Sequence, residues 1–217
     1  MIYIIMCGGK YHRWKQPRQL IEIGGEPIVA RTIRLLKAAG VDDIAISTAD
    51  ERFEAFGVPI LKHGNDFADT GRPNDGLWVS AFYPTNNPAC YIMGDVVFSP
   101  KAIDTIVGKD TTDIDFFASS PPFPRDGYIK RWAEPFAFKV VNQVRFRAAI
   151  DYISETINMG LYRRHPIAWE LWQVINKADP NVINYKSYTA INDYTCDIDT
   201  PDDVAKIEAV LKEWQEY

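Results

Sequence analysis

The sequence predicts a three-layer α/β fold, a mainly parallel mixed sheet with a small antiparallel extension, and two observations carry that expectation. Short runs rich in apolar and β-branched residues alternate with amphipathic stretches at helical spacing along the chain, and such alternation winds into a parallel sheet covered by helices. Two of the runs end abruptly in glycine, Ile2 to Met6 before Gly8-Gly9 and Cys90 to Met93 before Gly94-Asp95. Buried parallel strands hand the chain to loops in this way.

The elements follow in order. Ile2 to Met6 is the first strand. Pro27 is suited to open a helix, with Ile28, Val29, Ile33, Leu35 and Leu36 forming its buried face and Gly40 its stop. Val41 to Ser47 and Val58 to Leu61 read as the second and third strands. Cys90 to Met93 is a further strand, and Ser99-Pro100 caps a helix that runs to about Val107. Asp113 to Ala118 is extended. From Gly127 to Val141 the text alternates and is rich in aromatics, which predicts an antiparallel pair added to the sheet. Helices are expected at about Gln143 to Ile157 and Ile167 to Lys177, then a strand near Val182 to Tyr185 and a helix from Pro201 to Trp214. No internal repeat or linker divides the text, so residues 1–217 are expected to form one domain.

Composition narrows the function. At 217 residues, 47% hydrophobic and 24% charged, the chain can bury one continuous core without staples. A net charge of -5 argues against general nucleic-acid binding, which needs a surplus of Lys and Arg. The three cysteines, Cys7, Cys90 and Cys196, have no paired short spacing and read as buried thiols in a reducing cytoplasm. No apolar run is long enough to suggest a membrane helix, and Met1 to Cys7 lacks the marks of a signal peptide.

Against this acidic background the loop after the first strand stands out. Lys10, His12, Arg13, Lys15 and Arg18 crowd the segment that follows Gly8 and Gly9. Two glycines permit a sharp turn whose N–H groups can face a phosphate, and local positive charge in a negative chain implies an anionic ligand. Walker A spacing is absent, because no Gly-Lys-Ser/Thr follows. Ligands of open α/β sheets bind beyond the carboxyl ends of strands, which points to this loop and to Gly94-Asp95.

The stretch Ile4 to Trp14, continuing through Gln16-Pro17-Arg18-Gln19-Leu20 and Gly24-Gly25-Glu26-Pro27-Ile28, resembles the signature of the sugar-phosphate and alditol-phosphate nucleotidyltransferases. That signature is a strand, G-G-x-G-x-R, P-K and a G-x-P helix start. The resemblance implies a Rossmann-like nucleotide-diphospho-sugar transferase fold and an enzyme that transfers a nucleoside monophosphate to a phosphorylated sugar, alditol or amino alcohol, releasing pyrophosphate. It assigns the triphosphate to Cys7, Gly8, Gly9 and Lys10, with Arg13 and Arg18 neutralising it. Tyr11 stands where the family usually has its third glycine. Arg18 replaces the usual lysine, keeping the charge but changing a point ammonium into a planar fork.

Gly94-Asp95 resembles the family's G-D, whose aspartate binds Mg2+ between phosphates. The chemistry calls for a divalent ion because two anions must meet. Extended alternation puts Asp197 and Asp199 on one face, about 7 Å apart, and Cys196-Asp197-Ile198-Asp199-Thr200-Pro201 resembles the acidic segment of bacterial phosphocholine cytidylyltransferases. That likeness makes Asp197 and Asp199 metal ligands and CTP the preferred nucleotide, with uridylyl, thymidylyl and guanylyl transfer left open. Thr200 and Asp203 read instead as helix-capping residues.

By the same resemblance the polar loop before Trp78 holds base and ribose, with Gly71, Arg72 and Asn74 as its contacts and Gln19 as a further one. The acceptor is expected around Lys130, Arg131, Trp132, Glu134 and Lys139, where Lys130 would balance the attacking phosphate. Arg163-Arg164-His165 is a second basic cluster. Two rival readings are a glycosyltransferase of the related fold, disfavoured by Gly94-Asp95-Val96-Val97 in place of an Asp-x-Asp pair, and a non-catalytic nucleotide-binding descendant.

Overall fold

The computed structural model describes residues 1–8, 14–63, 78–120, 133–182 and 187–214. Strand β1 (Ile2–Met6) leads through a short turn at Arg18–Leu20 to the paired strands β2 (Glu22–Ile23) and β3 (Glu26–Pro27), then to helix α1 (Ile28–Ala38). Gly40 ends that helix at φ +82, a conformation that favours glycine, and Val41 donates its N–H back to Leu36 O at 3.0 Å. Val41 therefore belongs to the cap, and β4 begins later than expected, spanning Ile44–Thr48. Strand β5 (Ile60–Lys62) is likewise displaced from the expected Val58 to Leu61.

Next come β6 (Ala89–Met93), β7 (Val96–Val97), α2 (Pro100–Gly108), β8 (Ile114–Ala118) and β9 (Pro135–Val140). Ser99 caps α2 by accepting the Ala102 N–H at 2.9 Å, with Pro100 at the first helical position as expected. The chain closes with α3 (Gln143–Thr156), α4 (Ala168–Ile175), β10 (Thr189–Ala190), β11 (Cys196–Asp197) and α5 (Pro201–Trp214). Of the strand expected at Val182 to Tyr185, residues 183–185 lie outside the described residues and Val182 is not in a strand; the described strand β10 comes later, at Thr189–Ala190. The region expected to give an antiparallel pair gives one described antiparallel strand, β9, and residues 127–132 lie outside the described residues.

The main sheet has the order β10-β8-β9-β6-β1-β4-β5. Every described neighbour pair is parallel except those made by β9, which runs antiparallel to both β6 and β8. Side-chain alternation in β9 shows that helices cover both faces. Phe138 stacks on Phe116 and packs with Phe146 of α3 and Trp172 of α4. The next residue, Lys139, sends its ammonium to the opposite face, where it donates to Ile106 O, Val107 O and Lys109 O at 2.7 to 3.1 Å, around the end of α2. Burying a cation requires such partners, and the last carbonyls of a helix supply them. Lys139 thus serves α2 instead of the acceptor site expected of it.

Two core clusters result. The larger one fills the main sheet and its helices, and the smaller gathers Ile21, Ile23, Ile28, Val97, Cys196, Ile198 and apolar residues of α5. Each fully buried large apolar side chain contributes about 1.5–3 kcal/mol. The smaller cluster matters most for the site, because it fixes Val97 of β7 against Cys196 of β11.

Candidate active site

The carboxyl ends of β1 and β6 lie side by side, with Met6 opposite Met93 in a parallel register. Gly94 donates its N–H to Met6 O at 3.2 Å, and a Cβ at this position would collide with that carbonyl and lie 3.0 Å from Cys7 Sγ. Glycine is therefore required for this close approach, which brings Asp95 beside the loop that follows β1. Cys7 itself is held by Ser47 O, which accepts its N–H at 2.9 Å, and Gly8 is half-buried beyond it. Burial, aided by the charge of Asp95, pushes the Cys7 thiol well above its ordinary range. The group stays protonated and is no nucleophile. All three cysteines are buried and none forms a disulfide.

Arg18 enters from the turn after Pro17, where Leu20 and Ile21 donate back to Pro17 O and Arg18 O at 3.0 Å. Its guanidinium meets two carboxylates: Nη2 lies 2.6 Å from Asp95 Oδ2 and Nη1 lies 2.9 Å from Asp199 Oδ1. Nη1 also donates to Ile198 O at 3.1 Å. The negative charge of Asp95 raises the Arg18 pKa most, burial opposes that, and Asp199 and Asp197 add to the rise. Gln19, the next residue, is buried in the turn at 7% exposure.

The acidic tail segment reaches this point by a long-range pairing. β11 runs antiparallel to β7, with Asp197 opposite Val96 and Cys196 opposite Val97. Ile198 donates its N–H to Asp95 O at 3.1 Å. Asp203, at the start of α5, accepts the N–H groups of Asp199 and Thr200 at 3.1 and 2.8 Å and the Thr200 hydroxyl at 3.0 Å. This is the capping role expected of it. On the other side of β11, Glu134 Oε2 accepts the Asp197 N–H at 3.1 Å.

Of the residues singled out from sequence, Cys7, Gly8, Arg18, Asp95, Asp197 and Asp199 therefore meet at the carboxyl ends of β1 and β6. Gly9, Lys10, Arg13, Gly71, Arg72, Asn74 and Lys130 lie outside the described residues. In the second basic cluster, Arg164 is already committed, its Nε donating to Glu170 Oε1 at 2.5 Å. Sequence reasoning missed the link from Glu134 to Asp197, although Glu134 stood among the acceptor-side residues. No local pattern signals a pairing between segments so far apart.

Among the described residues no three His, Cys, Asp or Glu side chains form a ready metal cage. The acidic residues converge on a guanidinium instead. The donor set nevertheless fits Mg2+, which is usually held by one or two carboxylates together with substrate oxygens and waters. Asp95 and Asp199 both lie against the Arg18 guanidinium, and the charge of Asp197 acts on it as well.

Comparison with known proteins bears on this arrangement. Residues 3–143 match the family described as the MobA-like NTP transferase domain. A probable molybdenum cofactor guanylyltransferase of Thermococcus sibiricus (strain DSM 12597 / MM 739) is 30% identical over 114 residues, which are 50% of this chain and 55% of that protein. The chain thus matches only about half the length of that relative. Among solved structures, the CTP:phosphocholine cytidylyltransferase from Streptococcus pneumoniae aligns over 97% of this chain and 98% of its own, with a TM-score of 0.54 and 16% identity. The inositol-1-phosphate CTP transferase from T. maritima aligns over 97% and 94%, with a TM-score of 0.53 and 16% identity. At these identities the likeness is one of fold.

Proposed function

The chain belongs to the family of MobA-like NTP transferase domains, and from that premise we propose that it transfers a nucleoside monophosphate from CTP to a small phosphorylated acceptor. The acceptor is a sugar, alditol or amino-alcohol phosphate. An acceptor phosphate oxygen attacks the α-phosphorus, the bond from that phosphorus to the β-phosphate bridging oxygen breaks, and pyrophosphate leaves. No covalent enzyme intermediate is involved, so positioning and charge neutralisation supply the rate.

The observation that carries this reading is the guanidinium of Arg18 held between Asp95 and Asp199. A cation that can be lent to phosphates and two carboxylates that can take a divalent ion stand in one place. In the nucleotide-free protein the single cation offsets half of the charge of the two carboxylates. An arriving triphosphate competes for Arg18 and draws it toward phosphate oxygens, which frees the carboxylates. Asp95 and Asp199, with Asp197 beside them, would then hold Mg2+, whose positive charge screens the α-phosphate and the departing pyrophosphate. Gly8, Gly9 and Lys10 cradle the triphosphate from the strand end marked by Cys7, and Arg13 assists Arg18. Gly71, Arg72 and Asn74, with Gln19, recognise base and ribose, and Lys130 receives the attacking phosphate.

CTP is preferred because the acidic tail resembles that of phosphocholine cytidylyltransferases, and the two solved structures named above are both named for CTP. GTP is the second reading, favoured by the guanylyltransferase name of the Thermococcus relative. Pyrophosphate release should be measured with each of the four nucleoside triphosphates against sugar, alditol and amino-alcohol phosphates, with and without Mg2+. Release from CTP with one acceptor class, dependent on Mg2+, supports the proposal. Release from GTP alone replaces the nucleotide, and nucleotide binding with no release from any pair overturns catalysis.

A further inference from the structure

Glu134 is almost fully buried, at 4% exposure, yet it ends in a carboxylate. It directly precedes β9, and its main chain is fastened on both sides to the end of β8. Ser119 donates its N–H to Glu134 O at 2.9 Å, and Ser119 Oγ accepts the Glu134 N–H at 3.0 Å. Its side chain then leaves the main sheet, and Oε2 takes the N–H of Asp197 in β11. Successive N–H groups of an extended segment point to opposite sides. The Ile198 N–H goes to Asp95 O on the β7 side, so the Asp197 N–H faces outward, where β11 has no strand partner among the described residues.

We infer that Glu134 is a positioning residue which clamps the Asp197 peptide from its outer side, so that Asp197 and Asp199 are presented to the divalent cation in a fixed register with Asp95. The inference rests on the metal role proposed above. Burying a carboxylate is costly, and an amide N–H exposed at a strand edge could be satisfied by water. What the arrangement provides is rigidity. Ser119, Glu134 and Asp197 form a continuous hydrogen-bonded bridge from the seven-stranded sheet to the two-stranded one. On its other side β11 pairs with β7 over two residues, and Ile198 donates to Asp95 O. Groups that orient metal ligands typically change metal affinity by about 10–100-fold when removed.

The test uses Mn2+ as the probe, with binding to the full chain followed by electron paramagnetic resonance in the presence of CTP, alongside thermal unfolding. Glu134→Met keeps the volume but removes the acceptor, and Glu134→Gln keeps an oxygen that can accept the Asp197 N–H. Mn2+ binding should weaken about tenfold in Glu134→Met, with Glu134→Gln within about twofold of the parent because the acceptor atom is what matters. Parent-like Mn2+ affinity in folded Glu134→Met overturns the inference, as does a Glu134→Gln protein as weak as Glu134→Met, which would make the charge itself the cause. If Glu134→Met does not fold, Ser119→Ala takes its place, because it removes the acceptor of the Glu134 N–H: weakened Mn2+ binding supports the bridge, and parent-like affinity overturns the inference. Asp95→Ala and Asp199→Ala run in parallel: if they too bind Mn2+ normally, the metal assignment has failed, whereas their loss beside a normal Glu134→Met defeats only the role of Glu134.

Discussion

Arg18 Nη2 lies 2.6 Å from Asp95 Oδ2, so the charge brought by the first loop is matched, in the free protein, to the carboxylate at the end of β6. The contact is only partly exposed, at 28% for the arginine side chain and 21% for the aspartate. A pair in that setting orients its members more than it stabilises the fold.

Replacing Arg18 should therefore move two observables in opposite directions. Arg18→Ala is expected to lower pyrophosphate release by about 10²–10³-fold, the scale for losing one donor to developing charge. In the absence of nucleotide it should tighten Mn2+ binding, because the competing cation has gone. A fall in both would show that Arg18 builds the carboxylate site and does not merely occupy it.

Gly94→Ala places a methyl group against the Met6 carbonyl. Destabilisation of about 1–3 kcal/mol is expected in urea unfolding, the usual cost of overpacking, together with loss of turnover as Asp95 shifts. Gly108→Ala is the control, since nothing lies within 4 Å of the added carbon. A Gly94→Ala protein as stable and active as the control would refute the close-approach argument.

Lys139→Met removes the donor to three carbonyls around the end of α2. Stability should fall by about 1–3 kcal/mol, the cost of leaving buried acceptors unsatisfied, while the KM for the acceptor phosphate stays unchanged. A raised KM with normal stability would return Lys139 to the acceptor site.

Burial pushes the Cys90 thiol and the Tyr3 and Tyr91 hydroxyls each up to about 12. The folded form thus keeps protons that the unfolded chain releases from its ordinary values of 9.0 and 10.0. Stability is intact below about pH 9 and declines as pH climbs toward about 12. Melting temperature should be level from about pH 7 to 9 and fall above that, and because the buried Cys7 thiol is raised as well, Cys90→Ala should make the fall shallower while its onset stays in place. An unchanged slope in that variant would exclude the Cys90 thiol as a contributor.

What was legible in the sequence was what is encoded locally. The run Ile2–Met6 before two glycines, Ser99-Pro100 before a helix and Gly40 after one each state their structure within a few residues. Val41 was misread because its β-branched side chain suits a strand, whereas its N–H is spent on the cap of α1. Alternation along β9 puts Lys139 and Phe138 on opposite faces, but no local pattern says that the end of α2 lies on the lysine's side. The site was legible as separate pieces. Its assembly depends on β7 and β11, two residues each, whose pairing is fixed by the small cluster around Val97, Cys196 and Ile198. Strands so short carry no periodicity of their own.

That late pairing has a consequence for the birth of the protein. Every strand of the main sheet precedes Cys196 in the chain, and both Arg18 and Asp95 are in place before it. A ribosome therefore releases nearly all of the scaffold before Asp197 and Asp199 emerge. On the site proposed above, the carboxylates of Asp197 and Asp199 join Asp95 only once β11 has docked on β7, after every strand of the main sheet has been made.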